Sequence, residues 1–389
     1  MEPVLILDAN QRSALAATRS LGQRGVHVVT ADETPSTLAG ASRYGRGSFV
    51  YPSPYRRPAL FLDVLAKELA ARKIRVVLPM TEVTTHVLAG HREELADMRV
   101  PVGAFAALET LTDKRSIHAL AKRLDIPVPE TRIVECPEEA RIATAGLTYP
   151  LVVKPYRSRI WSGDTWIRAG VRYVSSLEEL HRLMEAADVF RRHPFLVQEH
   201  IGGEGAGVFA LYDTGRAVSF FAHRRLRERP PSGGVSVLSE SVRLDPYMHE
   251  LSRRLLDHVE WHGVAMVEFK VRSDGRPYLM EVNPRFWGSL QLAVDAGVDF
   301  PWLAYQLATG GTPEPVDGYR VGVRNRWLLG DLDHLFLSWK ESAGWRAKYR
   351  AMAGFVKGFG PGTRHEVDRW DDVRPFFVEL KRYLTEREH

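Results

Sequence analysis

The chain has 389 residues, 44% of them apolar and 26% charged, which is ordinary for a globular protein of two or three domains. Its single cysteine, Cys136, excludes an internal disulfide or a cysteine-based zinc cage and suits a cytoplasmic protein. The net charge of +5 arises from 53 basic and 48 acidic residues, so a nucleic-acid partner is not expected. We also expect no membrane span, which needs roughly 18–20 consecutive apolar residues, and no signal peptide at the start.

The first 80 residues alternate apolar runs with helical spacing. An apolar run at 4–7 is followed by apolar residues at helical spacing over 13–21 and by a second apolar run at 26–30. A third apolar run, at 74–80, follows a predicted amphipathic helix. This alternation predicts a parallel, doubly wound α/β sheet. The first turn, DANQRS, contains no glycine, so the phosphate-binding fingerprint of dinucleotide folds is absent.

From about residue 113 to residue 310 the pattern changes to strand pairs with intervening helices. The segment TLTDKRSIHALAKRL predicts a helix capped by Thr112 or Asp113, with Lys114 in a first turn where the helix dipole disfavours a cation. The strand in YPLVVKPY, at 149–156, ends with Lys154. Each lysine is either solvated or directed at a phosphate, and the pattern leaves both interpretations open.

The segment FLVQEHIGGEGAGVFAL, at 195–211, joins two strand-like runs through the tetrapeptide Gln-Glu-His-Ile and four glycines. Such a hinge is able to hold a flat base with main-chain groups and to leave Glu204 for sugar hydroxyls. A simple glycine-rich hairpin loop is the alternative.

Two strands farther along carry carboxylates within apolar runs. The segment GVAMVEFKV, at 263–271, and the segment LMEVNPRFWGS, at 279–289, flank an Asp274-Gly275 hairpin turn. A two- or four-residue loop places Glu268 opposite Glu281, with Asn283 on the same face. Opposed like charges destabilise a hairpin unless something offsets them, and oxygen ligands of this kind suit Mg²⁺. A solvated face with Lys270 as the local counter-ion is the alternative.

Two further segments are basic. Residues 220–241 place several arginines around Pro-Pro and Gly233-Gly234, which predicts either a loop that receives an acidic substrate or a solvated loop. A linker is expected at 309–318. Beyond it, Trp and Leu recur at helical spacing with Lys and Arg, which indicates either core packing or an interfacial helix on an anionic membrane.

Together these residues resemble the ATP-grasp superfamily over roughly 110–312, most specifically in the strands that end VEFK and MEVNPR. The preceding strand–helix units look like the pre-ATP-grasp domain, and the D-aspartate ligase-like branch is a plausible neighbour. The resemblance implies an α/β domain over 1–109, an α+β ATP-grasp domain of two subdomains over 110–312, and a helical extension over 313–389. One departure is the stretch YRSRIWSGDTWIRAG, with Arg157, Arg159, Trp161 and Trp166, where many members have a glycine-rich phosphate loop.

The resemblance also implies roles for individual residues. ATP would be bound with Mg²⁺ (or Mn²⁺) on Glu268, Glu281 and Asn283. Lys114 and Lys154 would contact phosphates, and Arg285 would steady an acyl phosphate or a substrate carboxylate, so Lys154 and Arg285 would be catalytic. Adenine or ribose would be met by Gln198, Glu199, His200, Ile201 and Glu204. We predict contacts to an acid substrate at Arg224, Arg225, Gly233, Gly234, Arg285 and Glu82.

The function predicted from this resemblance is an ATP-dependent carboxylate–amine (or carboxylate–nucleophile) ligase, which forms an amide, ADP and phosphate through an acyl phosphate. Two alternatives stay open: an ATP-grasp enzyme with another acceptor, carboxylase-like or kinase-like, and a non-catalytic ATP-binding protein. No biotin-attachment Met-Lys-Met segment is present. The expected partners are a small carboxylic acid and an amine or other nucleophile. A homodimer, and peripheral membrane contact through the C-terminal helices, are further hypotheses.

Overall fold

The computed structural model of the chain describes residues 1–95, 97–155, 159–161, 166–168, 170–231, 233–342, 344–360 and 362–385, leaving aside the side chains of 159–161 and 166–168. It contains two compact units. The first comprises Met1–Phe105, Ala206–Met266 and Asn283–His389, and the second comprises Ala106–Gly205 and Val267–Val282. Both units are therefore discontinuous in sequence. The domain boundaries expected after residues 109 and 312, which divide the chain in order, stay a prediction.

The first unit begins with a parallel sheet, as the sequence predicts. Its strands lie in the order β3-β2-β1-β4, and all three pairings are parallel. The short strands β1 and β4 are entirely apolar and buried, which is typical of a parallel sheet covered on both faces. The elements of this segment are β1 Val4–Ile6, α1 Arg12–Gln23, β2 Val28–Asp32, β3 Gly47–Val50, α2 Pro58–Arg72, β4 Val76–Leu78 and α3 Glu82–Gly90.

The second unit contains a four-stranded antiparallel sheet in the order β5-β10-β6-β9. Apolar side chains from β6 and β10 pack beneath α7 and α8 to form its core. The elements are α4 Phe105–Thr112, α5 Lys114–Arg123, β5 Thr131–Val134, α6 Ala140–Thr144, β6 Leu151–Pro155, β7 Arg159–Trp161, β8 Trp166–Arg168, β9 Arg172–Val174, α7 Leu177–Ala186, α8 Asp188–Arg192 and β10 Phe195–Glu199.

The rest of the chain supplies long strands and the C-terminal helices. Within the first unit, five strands lie side by side in the order β11-β12-β13-β16-β17. The division between the units falls inside β14 and before the last residue of β15. The elements are β11 Glu204–Asp213, β12 Arg216–Arg229, β13 Val235–Ser241, α9 Pro246–His258, β14 Gly263–Val271, β15 Pro277–Asn283, α10 Leu290–Ala296, α11 Phe300–Ala308, β16 Arg324–Arg326, α12 Leu328–Glu341, α13 Trp345–Lys357, β17 Thr363–His365 and α14 Arg374–Thr385. None of the helices in the described ranges is long and apolar enough to cross a membrane.

The structure corrects three local expectations. The arginines at 224–229 lie in β12 rather than in a loop, because neighbouring carboxylates match their charges. The C-terminal segment is not purely helical, since β16 pairs with β13 and β17 pairs in parallel with β16. The sequence of β16, Arg-Asn-Arg, has no apolar run to reveal it.

The third correction concerns the hairpin turn between β14 and β15. Arg272 N–H donates to the carbonyl of Arg276 at 3.0 Å, and Gly275 N–H donates to the carbonyl of Arg272 at 2.9 Å. Gly275 has φ +83°, so the loop has three residues with a left-handed glycine at its end. The expected two- or four-residue loop is wrong. At the turn Arg276 therefore pairs with Arg272. The register that sets Glu268 directly opposite Glu281 requires Arg276 to pair with Ser273, one residue later.

Candidate active site

Lys154 in the second unit lies at the end of β6, whose other residues are buried. Its Nζ donates to Oε1 of Gln198 at 2.7 Å. Gln198, only 6% exposed, donates from Nε2 to Oγ1 of Thr131 at 2.8 Å. Thr131 in turn donates to the carbonyl of Pro129 at 2.9 Å. This chain of hydrogen bonds holds the ammonium group at one position in the unit.

Four of the predicted charged residues interact electrostatically around this position. Burial lowers the pKa of Lys154 to about 8, while Glu281 raises it, Lys114 lowers it and Glu268 raises it. All four residues belong to the second unit, and Lys114 and Lys154 line the same pocket there. A half-buried lysine whose pKa is shifted by burial and by charged residues is typical of a functional site.

Helix α5 supplies Lys114, its first residue. Asp113 caps the helix by accepting from the N–H groups of Arg115 at 3.1 Å and Ser116 at 2.9 Å, as one of the two predicted caps. Lys114 and His118 are four residues apart and therefore lie on one face. A hydrogen bond of 3.1 Å joins Nε2 of His118 to the carbonyl of Pro129, and burial lowers the pKa of His118. His118 was not predicted, although its helical spacing from Lys114 is a signal that would have found it.

A pocket lies against these residues. Five of its nine lining residues are apolar, and the polar ones are the two lysines, His118 and Gln198, a composition that suits a small-molecule site. The enclosed space is about 20 Å³, or room for one water molecule, so a larger ligand requires the side chains to move. The lining residues are Lys114, Ile117, His118, Val128, Lys154, Leu196, Gln198, Leu279 and Met280.

The predicted metal ligands are hard oxygen donors. Glu268 is half-buried between the buried Val267 and Phe269, and Glu281 is half-buried before the buried Val282. Lys270, the expected counter-ion in the alternative interpretation, donates to the carbonyl of Gly203 at 3.3 Å.

The donor chemistry of Glu268, Glu281 and Asn283 fits Mg²⁺, which takes few carboxylates and fills its remaining positions with water and phosphate oxygens. Within the described ranges, no group of three or more His, Cys, Asp or Glu side chains is able to hold a metal on its own.

Comparison with known proteins identifies the fold. Residues 191–328 match the family described as "ATP-grasp in the biosynthetic pathway with Ter operon". The L-amino acid ligase of Bacillus licheniformis is similar in structure, with 16% identity and a TM-score of 0.62 over 79% of this chain and 74% of that one. The biotin carboxylase domain dimer of Hydrogenobacter thermophilus 2-oxoglutarate carboxylase, in complex with MgADP, ADP and bicarbonate, has 17% identity and a TM-score of 0.66 over 83% and 73%.

The chain has the ATP-grasp fold. A curated relative, the carbamoyl phosphate synthase large chain of Deinococcus deserti, is 24% identical over 313 residues, or 77% of this chain and 29% of the relative. This ATP-grasp chain thus spans less than a third of the length of that relative. The similar proteins include a ligase, a carboxylase domain and a synthase, so the fold is common to them while the reaction differs.

The predicted adenine hinge of this ATP-grasp chain is divided between two places. Gln198 faces the Lys154 pocket, whereas Glu199, His200 and Ile201 line a separate groove with residues 148–150. Glu199 Oε1 accepts from the N–H of Thr148 at 3.1 Å, and the His200 ring lies 5.8 Å from that of Tyr173. Glu204 is exposed at the start of β11. Their nucleotide roles remain predictions.

The residues predicted to meet the acid substrate belong to the first unit. Arg224 donates from Nε and Nη2 to Oε2 of Glu240, at 3.0 and 2.8 Å, and Arg225 donates from Nη1 to Glu228 at 2.9 Å. Arg324, which sequence reasoning missed, donates to the other oxygen of Glu240 at 2.8 Å. Strand pairing places Arg224, Glu240 and Arg324 in one row, so the β12–β13–β16 register is the signal that would have found it.

The remaining predicted residues have local roles in the first unit. A Cβ added to Gly234 would lie 2.4 Å from the carbonyl oxygen of Arg229, so the glycine permits a tight turn, and Gly233 has φ +126° in the same turn. Arg285 donates to Asn283 Oδ1 at 2.9 Å and to the carbonyl of Phe286 at 2.8 Å. Glu82 begins α3, where a carboxylate complements the helix dipole.

The unusual stretch after Lys154 is described in part. Strands β7 and β8 pair antiparallel, with Ile160 opposite Ile167. Arg157 and the side chains of Arg159, Trp161 and Trp166, which stand where many ATP-grasp members have a glycine-rich phosphate loop, lie outside the described part of the structure.

Proposed function

We propose that this protein is an ATP-dependent ligase that joins a carboxylic acid to an amine through an acyl phosphate. The observation that carries the proposal is the pocket of the second unit that Lys114 and Lys154 line together, where Gln198 accepts a hydrogen bond from the Lys154 ammonium at 2.7 Å. Glu281 and Glu268 raise the pKa of Lys154 against the effect of burial. A cation pair for phosphates beside a carboxylate pair for a metal is what phosphoryl transfer to an acid requires. The similarity to an L-amino acid ligase supports the same reaction class.

Each residue then has a distinct task. Lys114 and Lys154 would hold the ATP phosphates, and Glu268, Glu281 and Asn283 would hold Mg²⁺. Bound Mg²⁺ would neutralise phosphate charge during transfer. The acid's carboxylate oxygen attacks the γ-phosphorus and ADP leaves. The amine then attacks the acyl carbon and loses one proton to solvent, and phosphate leaves with the electron pair of the broken C–O bond.

The acid substrate needs a cation at its carboxylate, and we propose Arg285 and Arg224 for this task. Arg285 follows directly on the proposed metal ligand Asn283. The side chain of Arg224 is 45% exposed even though it is paired with Glu240, so its outer N–H groups are accessible to a ligand. Arg225, Gly233 and Gly234 shape the adjoining hairpin, and Glu82 is a more distant candidate.

A second enzyme function keeps the ATP site and changes the acceptor. The similarity to a biotin carboxylase domain and to carbamoyl phosphate synthase, both of which differ from an amino acid ligase in their reaction, favours considering it. Product analysis separates the two. Amide formation that depends on an added amine supports the ligase, whereas a carboxylated or stably phosphorylated product supports the alternative.

The test of the ATP site is Glu281→Gln, which keeps the size of the side chain and removes its charge. We expect Mg²⁺-dependent ADP release, screened with amino acids and acidic metabolites, to be lost while the melting temperature is retained, because the metal loses an anionic ligand. The matched control is Glu185→Gln, the same change at an exposed position of α7, which should leave turnover as it is. Wild-type turnover by a folded Glu281→Gln variant would exclude Glu281 from the site.

A further inference from the structure

Helix α13 exposes apolar side chains to an unusual degree. None of its thirteen residues is buried. Four large apolar side chains, spaced by four, three and four residues, lie on one face of the helix. They are 73, 69, 40 and 59% exposed, and we call them the α13 stripe: Trp345, Tyr349, Met352 and Val356.

The opposite side of α13 is attached to the first unit through polar contacts. Arg227 donates to the carbonyl of Gly354 at 2.9 Å, and Arg326 donates to the carbonyl of Phe355 at 3.1 Å. The Arg326 guanidinium also lies 4.3 Å from the centre of the Phe355 ring. Both arginines bond to Asp331 of α12, so they are fixed in place. The helix is thus held by its backbone and by cations, while the four side chains of the stripe stay 40–73% exposed.

The charge of α13 is strongly one-sided. It contains four basic residues and no acidic one, although acidic and basic residues are nearly balanced in the whole chain. Arg346, Arg350 and Lys357 are exposed beside the stripe. Lys348 lies partly over Trp339 of α12, with its Nζ 5.6 Å from the ring centre, and Trp339 is itself 42% exposed. Aromatic side chains therefore alternate with cations across this surface.

We propose that the α13 stripe docks on the surface of an anionic phospholipid bilayer. Trp and Tyr suit the headgroup region because each has an apolar body and a polar edge, and neighbouring Lys and Arg are attracted to acidic lipids. A second copy of the chain is a poorer occupant, since pairing two stripes brings identical cations together. The contact is peripheral: the helix lies in the plane of the interface and the rest of the first unit stays in water.

The experiment is vesicle co-sedimentation of the full chain. The vesicles are phosphatidylcholine alone, or phosphatidylcholine in which about a third of the lipid is phosphatidylserine, a composition that makes the surface clearly negative. We expect the wild type to bind the acidic vesicles, to bind the neutral ones weakly, and to be released as salt is raised. Blue-shifted tryptophan emission should accompany binding.

Two variants and a control locate the contact. Trp345→Ser with Tyr349→Ser should weaken binding about tenfold or more, because it removes the apolar anchors. Arg346→Glu with Arg350→Glu should abolish binding to acidic vesicles, as each basic residue contributes about fivefold to partitioning. The control is Trp370→Ser, which removes a tryptophan that is 99% exposed but lies outside α13 and should bind like the wild type.

Several results would overturn the proposal. These are absence of wild-type binding, equal binding to neutral vesicles, or wild-type binding by the Trp345→Ser, Tyr349→Ser variant. Sedimentation velocity without lipid supplies a further readout. A wild-type dimer that becomes monomeric in the stripe variant would assign the stripe to a second copy instead. All changed residues are exposed, so circular dichroism melts should match the wild type and confirm that the variants fold.

Discussion

Lys154 combines two requirements that usually conflict, since its strand is apolar while its head group is a cation. Gln198 resolves part of this conflict by accepting one hydrogen bond at 2.7 Å, and Glu281 and Glu268 supply opposing charge. The remaining donors of an ammonium group suit phosphate oxygens. A lysine in this setting is better matched to a bound anion than to solvent.

We predict that Lys154→Met, which keeps most of the aliphatic stem, weakens ATP binding much more than adenosine binding. Losing a charge-assisted hydrogen bond costs about 1.5–3 kcal/mol, or roughly ten- to a hundredfold in affinity. Calorimetric titration of both ligands measures the difference. Lys270→Met is the matched control, because Lys270 donates to the Gly203 carbonyl and should leave both affinities near the wild type. Equal losses for ATP and adenosine on changing Lys154 would indicate a structural role instead.

Among the structural elements, the turn between β10 and β11 brings the backbone of Gly203 close to the backbone of β14. Gly203 has φ +133°, and a Cβ there would lie 2.1 Å from the carbonyl oxygen of Val271. Gly275, in the β14–β15 turn, has φ +83° with no atom near its Cβ position. Gly202 has neither constraint. An added Cβ would therefore clash with the backbone at Gly203, would only strain the backbone conformation at Gly275, and would do neither at Gly202.

These differences predict a graded series of alanine variants. Gly202→Ala should be neutral within about 0.5 kcal/mol, Gly275→Ala should cost about 1 kcal/mol of unfolding free energy, and Gly203→Ala should cost several times more because backbone has to shift. Urea unfolding at constant slope measures all three. Similar stabilities for the Gly202 and Gly203 variants would contradict the close approach of Gly203 to β14.

Helix α14 carries a half-buried carboxylate, Glu379, whose pKa is well above that of an ordinary glutamate. Burial raises the pKa of Glu379 to about 7, against the effects of a hydrogen bond from Trp327 and of the Arg12 charge. Trp327 Nε1 donates to Glu379 Oε1 at 2.7 Å, and the Arg12 guanidinium lies 4.1 Å from the centre of the Trp327 ring. The folded state therefore holds a proton that the unfolded chain has already released.

The sign of the pH dependence follows from this difference. Between about pH 4.5 and pH 7 the folded state binds more protons at Glu379, so its contribution to stability falls as pH rises through that window. The free energy of unfolding falls by at most about 3 kcal/mol across this window, and by less because solvent screens the partly exposed side chain. We predict that Glu379→Gln, which keeps the Trp327 hydrogen bond, is more stable than the wild type near pH 8 and shows a shallower slope. Thermal melts across this range test it, with Glu341→Gln at the exposed end of α12 as the control.

For the whole molecule, sequence patterns within short windows predicted the features that short windows determine. The parallel sheet, the Asp113 cap and the strand that carries Lys154 follow from periodicity and capping within short windows. The arginine strand β12 and the polar strand β16 escaped prediction because their charges are matched by Glu240 and Asp331, partners that no local pattern indicates. In the site, Gln198 was expected at the hinge, but its bond to Lys154 depends on strand pairing between β6 and β10.

The first unit also joins distant parts of the chain through a buried ion pair that sequence periodicity does not reveal. Arg19 of α1 is 3% exposed, and it donates from Nε to Asp372 at 2.9 Å and to the carbonyls of Glu366 and Val367. Asp372, 2% exposed, also accepts from Ser42 at 2.7 Å and from the N–H of Arg43 at 2.9 Å. The segment after β17 is therefore an integral part of this unit rather than an appendage.

Removing one partner of this pair should be severely destabilising. Asp372→Ala leaves the Arg19 charge buried without a counter-ion, which typically costs about 3–5 kcal/mol. The adjacent Asp371→Ala is the control. Asp371 is exposed and its carboxylate accepts a hydrogen bond from Tyr44 at 3.0 Å, while the bond from Arg43 to its main-chain carbonyl is kept, so the substitution should cost less than about 1 kcal/mol. Urea unfolding of both variants, followed by tryptophan fluorescence, gives the comparison. Equal, small losses of unfolding free energy for the two variants would mean that the C-terminal segment does not hold the first unit together. A large loss for Asp372→Ala alone would mean that the stability of the N-terminal sheet depends partly on the last thirty residues of the chain.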